Sequence, residues 1–201
     1  MTPEGMDAYI SDVAVRRMPD ETPEEFLGAI ERLRAARLRP EVVLEEVPAP
    51  QRIAPHAVAV SADVVLDDEE LATGRFVLLY DPAGQDAWEG TFRAVTFVRA
   101  ALESELGSDP MLGQVGWTWL QESLESVGAT YGAAGGTVTR VVSESFGALG
   151  DRPATVEIEV RASWTPHDDV ALHLQAWAGL LCTVAGIPPL PSGVAPLPRR
   201  R

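Results

Sequence analysis

The residues of this chain with most scope for chemistry are its arginines, which supply all of its side-chain positive charge: the 16 cations are all Arg and there is no Lys. A guanidinium grips carboxylates and phosphates in a fixed two-pronged geometry, but it forms no imine and keeps its proton near neutral pH. Schiff-base catalysis, pyridoxal phosphate anchored on a lysine, and the lysine-dependent phosphate loops are therefore excluded. Arg75 and Arg93 are the candidate clamp for a small acid, with Gln85 on the loop between them and His167 as a third lining group.

The remaining reactive types do not converge. His167, Asp168, Asp169 and His173 contain metal-ligand atoms, yet the two histidines are six apart and do not share a helix face, and carboxylates at a helix entry serve the dipole. No metal and no cofactor are expected. His56 follows Pro55 with no partner nearby, and Ser143-Glu144-Ser145-Phe146-Gly147 lacks the Gly-x-Ser-x-Gly elbow, so no serine triad is supported. Gly132 to Gly136 looks like a phosphate loop, but the β-rich run Thr137 to Val142 follows where a helix N-terminus is needed, which makes it a hairpin-entry loop. Cys182, alone in an apolar helical run, reads as a small buried hydrophobe.

Five tryptophans are many for this length. Trp88, Trp117 and Trp177 fall on core-facing helical patterns and Trp164 on a buried strand face. Trp119, two residues from Trp117, points elsewhere on its helix and is the candidate exposed anchor for a partner, with Trp88 as a second.

The elements that must position these groups follow from periodicity. One helix starts at Thr22-Pro23-Glu24-Glu25 and ends near Leu38, ahead of Pro40. Strands are expected over 41–47, 57–66, 71–80, 137–146 and 153–164, with Asp67 to Glu70 as a hairpin turn and Asp81-Pro82-Ala83-Gly84 stopping the third strand. Trp88, Phe92, Val95, Val98 and Leu102 repeat at helical spacing, as do Val170, Leu174, Trp177, Leu180 and Val184, and a helix is expected over each. A further helix spans Trp117 to Val127. The predicted fold is a two-layer α+β domain: a five-stranded antiparallel sheet with helices on one face, in the order α-β-β-β-α-α-β-β-α. Residues 22–187 form this single domain, as pseudo-duplicated helix-hairpin-helix halves over about 22–106 and 111–187. A flexible acidic arm, 1–21, precedes it and a Pro- and Arg-rich tail, 188–201, follows.

Composition sets the outer limits. At 201 residues, 46% apolar and 23% charged, the chain can bury an ordinary core. Its net charge of -14 repels DNA, RNA and anionic membranes at long range. With no apolar leader run, a cytoplasmic location is expected.

Several stretches resemble a known family: Arg37-Leu38-Arg39-Pro40-Glu41-Val42, Pro48-Ala49-Pro50-Gln51-Arg52, Ala72 through Asp81-Pro82-Ala83-Gly84-Gln85 to Trp88-Glu89-Gly90-Thr91-Phe92-Arg93, Ser143 to Gly147, and Arg161-Ala162-Ser163-Trp164-Thr165-Pro166. They are similar to the actinobacterial domain of unknown function 3000. The resemblance covers nearly the whole chain after the first twenty residues and implies no activity, cofactor or catalytic residue. The element order is also similar to the type III secretion chaperone-like fold, whose members commonly dimerise and hold extended peptides. The additional helix at Trp117 departs from that pattern.

The expected function is a non-catalytic module that binds a protein or peptide partner, as a homodimer, through a sheet edge or exposed aromatic surface. The alternative is a small-molecule anion-binding protein or enzyme that uses Arg75 and Arg93. A third reading, an accessory to RNA metabolism, rests on Arg32, Arg34, Arg37 and Arg39 and is disfavoured by the surrounding acid.

Overall fold

The computed structural model describes residues 22–188. The arm over 1–21 and the tail from 189 onward lie outside the described residues. The elements are α1 (Glu24–Ala35), β1 (Val42–Val47), β2 (His56–Leu66), β3 (Glu69–Gln85), β4 (Gly90–Leu102), α2 (Leu112–Ser126), β5 (Tyr131–Ser143), β6 (Thr155–Pro166) and α3 (Val170–Val184). Every strand pairs antiparallel to its neighbours in a single sheet of order β1-β2-β3-β4-β6-β5.

The sheet has six strands where five were expected, because the helix predicted from Trp88 to Leu102 is β4. Phe92, Val98 and Leu102 lie on one face under either period, so the helical spacing did not discriminate. The β-branched Thr91, Val95, Thr96 and Val98 and the aromatic Phe92 and Phe97 suit a pleated surface. The free edge of β3, with its buried run Phe76 to Tyr80, also needs a partner, and β4 pairs with it from Ala72↔Ala100 to Tyr80↔Phe92. The doubled helix-hairpin-helix is therefore a coincidence of spacing, and the order is α-β-β-β-β-α-β-β-α. One helix, not two, separates the four-strand meander from the last strand pair.

Other boundaries shift for local reasons. α1 stops at Ala35, since Ala36 is already extended (ψ 132), and Pro23 rather than Thr22 holds its cap position. β3 runs through Asp81-Pro82-Ala83-Gly84 to Gln85; only the ladder breaks there, between Tyr80 and Gln85. α2 begins at Leu112, a turn before Trp117. β5 begins at Tyr131, so the glycine run expected to be a hairpin-entry loop is part of the strand, with a bulge between Gly132 and Gly135. At Gly136 a Cβ would run into the Arg161 carbonyl and the Trp117 ring, so glycine lets this strand lie close under α2. The hairpin turn expected over Asp67 to Glu70 narrows to two residues, Asp67 and Asp68, both at positive φ (52° and 67°), because Glu69 and Glu70 already pair with Leu66 and Val65.

All three helices pack on one face. Ala62 and Val64 of β2, Phe76 and Leu78 of β3, Ala94 and Val98 of β4, and Ile158 to Trp164 of β6 meet them in one core. α3 is the centre of that layer, with 10 of its 15 residues buried, because it lies between α1, α2 and the sheet. It sits close: a Cβ on Gly74 would stand 2.6 Å from the Phe97 carbonyl oxygen and 2.9 Å from a Leu181 methyl. Trp177, fully buried, donates its indole N–H to that same carbonyl at 3.3 Å.

A polar chain that begins in the core and ends at the surface fastens the start of α3. The Trp164 indole donates to His173 Nδ1 (2.9 Å), His173 Nε2 meets Asp168 Oδ1 (2.7 Å), and the Thr130 backbone N–H (2.6 Å) and hydroxyl (2.7 Å) donate to Asp168 Oδ2. An indole only donates, so His173 accepts at Nδ1 and carries its proton on Nε2. Burial pushes the His173 pKa below its ordinary value, and the pull of Asp168 does not restore it. For Asp168 burial acts upward, but the bonds from Thr130 and His173 outweigh it and hold the carboxyl below its usual range.

Two outcomes follow from this packing. The Gly74→Ala substitution, pressed against backbone that cannot yield, should cost about 1–3 kcal/mol in urea unfolding. As pH falls below about 6.5, the unfolded chain protonates His173 while the folded protein resists. Stability should therefore drop toward acid by up to about 1.4 kcal/mol per pH unit from this group, with a further loss as Asp168 protonates below about pH 4. Urea midpoints at pH 7.5, 6.5 and 5.5 should show a slope that is reduced in His173→Gln; equal slopes would exclude this histidine as the cause.

Candidate functional site

Among the described residues, the sheet face opposite the helices is covered at one end only. At one end the segment after β1 and the β3–β4 hairpin fold over it: Trp88 packs on Ala59, Val77 and Leu79, with Ala49, Ala54 and Val95 around it. Trp88 is thus buried in a satellite core and does not present its ring to a partner. The Thr165 hydroxyl donates to the Trp88 carbonyl and pins the hairpin to β6.

The rest of that face is an open trough of about 680 Å³. Strand register builds it in rows. Arg75, Phe97, Arg161 and Thr137 stand side by side across β3, β4, β6 and β5, and Val77, Val95, Ser163 and Gly135 form the next row. The floor is apolar and its charged groups are guanidiniums. Arg161 lies 5.0 Å over the Phe97 ring and pairs with Glu159 at 2.6 Å, whereas Arg75 is exposed and makes no hydrogen bond or ion pair among the described residues. A further row has Arg99 beside Glu159, and Arg99 grips Glu157 through bonds of 2.6–3.1 Å.

Arg93 closes the end of the trough rather than lining it. Its guanidinium donates to the Ala133 carbonyl (2.8 Å), Thr165 Oγ1 (3.2 Å) and Ser163 Oγ (2.7 Å), and burial lowers its pKa from the ordinary arginine value. It ties β4 to β6 and to the β5 bulge. The expected clamp is therefore not assembled: Arg75 and Arg93 share a face four residues apart across the β3–β4 register, roughly 13 Å along the strands. His167 packs over Gly132, outside the trough. Gln85 bonds Asp81 at 3.1 Å and shapes the hairpin tip. Trp119 is half-buried on the helix side, against the main core.

The residues missed from the sequence are Phe97, Arg161 and Thr137. Reading β4 as a strand would have found Phe97, since Arg93, Val95, Phe97 and Arg99 then alternate onto one face; Arg161 already stood on the wet face of β6. Elsewhere, Cys182 is buried and its thiol is pushed up to about 11 by burial, as befits a packing residue. Arg32, Arg34 and Arg39 are engaged by Asp169, Glu46 and Glu41. No helix among the described residues is long and apolar enough to cross a membrane.

This is an α+β protein with a one-sided antiparallel sheet, three helices behind it and an arginine-lined trough in front. The chain belongs to the family described as protein of unknown function (DUF3000), which it matches over residues 22–195. No curated protein and no solved structure matches it.

The two arginines should separate cleanly by stability. Arg93→Leu, which strands three acceptors, should cost about 1–3 kcal/mol in urea unfolding, while Arg75→Ala should change stability by less than about 0.5 kcal/mol.

Proposed function

We propose that this protein is a non-catalytic cytoplasmic binding module whose trough holds an extended, acidic segment of a partner protein. The observation that carries this reading is the row Arg75, Phe97, Arg161: two guanidiniums flanking an aromatic ring on an open apolar floor. Carboxylates of a bound chain would pair with the guanidiniums, and its apolar side chains would cover Val77, Val95 and Phe97. Among the described residues the trough lining has no His, Asp, Glu or Cys. A general base or nucleophile of those types is therefore missing from it, and Arg serves as neither.

Its open shape suits an extended chain lying across the strands better than a small acid, which gains by being enclosed. Apart from one added strand, the element order is similar to the type III secretion chaperone-like arrangement. That likeness supports the reading as analogy of fold.

A photo-crosslinking residue at Thr137, on the trough wall, should capture one partner from the native host's cytoplasm, with the label mapping to an acidic, extended segment. Arg75→Glu/Arg161→Glu should abolish capture while leaving the melting temperature within a few degrees, and added salt should weaken it. Equal capture by wild type and the double variant would refute the trough as the site.

A further inference from the structure

β5 is an edge strand of 13 residues, Tyr131–Ser143, with no proline and one charged side chain, Arg140. The other edge, β1, is protected in the usual way: it has six residues, two of them Glu45 and Glu46. Among the described residues no strand pairs with its outer side, and a nearly neutral strand edge of that length is a template for another strand. We infer that β5 pairs with β5 of a second copy of this chain, edge to edge, to make one continuous sheet.

Three observations select a second copy as the occupant. The first is charge. Two chains of net charge -14 repel over most of their surfaces, and β5 offers a contact free of acid; its Arg140 is turned away to the Asp109 carbonyl at 2.6 Å. The second is size. The N-terminal half of β5 is small, Gly132-Ala133-Ala134-Gly135-Gly136, and the C-terminal half is bulky, Thr137-Val138-Thr139-Arg140-Val141-Val142.

A two-fold antiparallel pairing sets the small half of each strand against the bulky half of its mate. Centred on Val138, it places Thr137 opposite Thr139, Gly136 opposite Arg140 and Gly135 opposite Val141. Each pair lies on a common face, because register with β6 puts Gly136, Val138 and Arg140 on the helix side and Gly135, Thr137, Thr139 and Val141 on the trough side. The same register keeps the two Arg140 side chains apart.

The third observation is exposed apolar surface. Val142 (49% exposed), Phe146 (77%) and Leu149 (49%) continue the same strand into its turn, and a mate would cover part of that run. The paired sheet would also join the two troughs, since Gly135, Gly136 and Thr137 wall each of them. The pairing rests on the edge alone and holds whatever the trough binds, so its failure and that of the proposed function are separate results.

Sedimentation of the full chain tests it. Wild type should run at twice the chain mass. Val138→Cys, on the two-fold axis with Cα atoms about 4.5–5.5 Å apart, should oxidise to a covalent dimer, while Val142→Cys should not; the native Cys182 is buried and does not compete. Thr139→Lys/Val141→Lys, whose lysines face Glu159 and Glu157 across β6, should keep its melting temperature and run as a monomer. A wild-type monomer at every concentration, a dimer that survives the two lysines, or cross-linking at Val142 in place of Val138 would overturn the inference.

Discussion

The close seating of α3 on the sheet is the constraint from which the rest of the molecule follows. Gly74 has no Cβ, so the helix descends until Leu181 and Trp177 touch the β3 backbone, and the Trp177 indole reaches the Phe97 carbonyl. A helix buried on nearly every side needs neighbours all round it. α1 and α2 supply them, so the three helices gather on one face and, among the described residues, the opposite face is covered only by the segment after β1 and the β3–β4 hairpin. Phe97 joins the two sides: its backbone is held from the core by Trp177, and its ring forms part of the trough floor.

The polar chain Trp164–His173–Asp168–Thr130 plays the matching part at the start of α3. Apolar contact alone would let this helix slide, because Leu, Ala and Val surfaces are tolerant of register. Hydrogen bonds of defined direction, running from the buried Trp164–His173 contact out to Asp168 and Thr130 at the surface, fix it against β6 and the segment leading into β5. Residues that looked like a scattered metal set in the sequence are thus divided. Asp168 and His173 belong to this lock, Asp169 caps α3 by accepting from the Ala171 N–H, and His167 packs over Gly132.

Charge is arranged with the same economy. A chain of net charge -14 keeps Arg75, Arg93, Arg99 and Arg161 on one sheet face, and three of them are committed. Arg93 is spent on carbonyl and hydroxyl acceptors, Arg99 on Glu157, and Arg161 on Glu159 and the Phe97 ring. Arg75 keeps its donors free among the described residues, at the centre of the bare surface. A cation without a partner, beside exposed apolar side chains, marks where a counter-charge from outside would be most effective.

Several elements were legible because a single signal sufficed. The alternation of β6, the Asp67-Asp68 turn and the apolar run of α3 each have one physical reading, and the family resemblance held. β4 was not legible: Phe92, Val95, Val98 and Leu102 satisfy a helical period and a strand period with one residue changing face, and only the unpaired edge of β3 decides between them. The site failed with it. The sequence by itself determined an α+β antiparallel fold, a lysine-free acidic surface and a buried Cys182, since composition and local periodicity carry those. Tertiary structure alone decided that Arg75, Phe97 and Arg161 form one row and that Arg93 does not, because a row across strands is a property of register between segments far apart in the chain, and no local pattern encodes it.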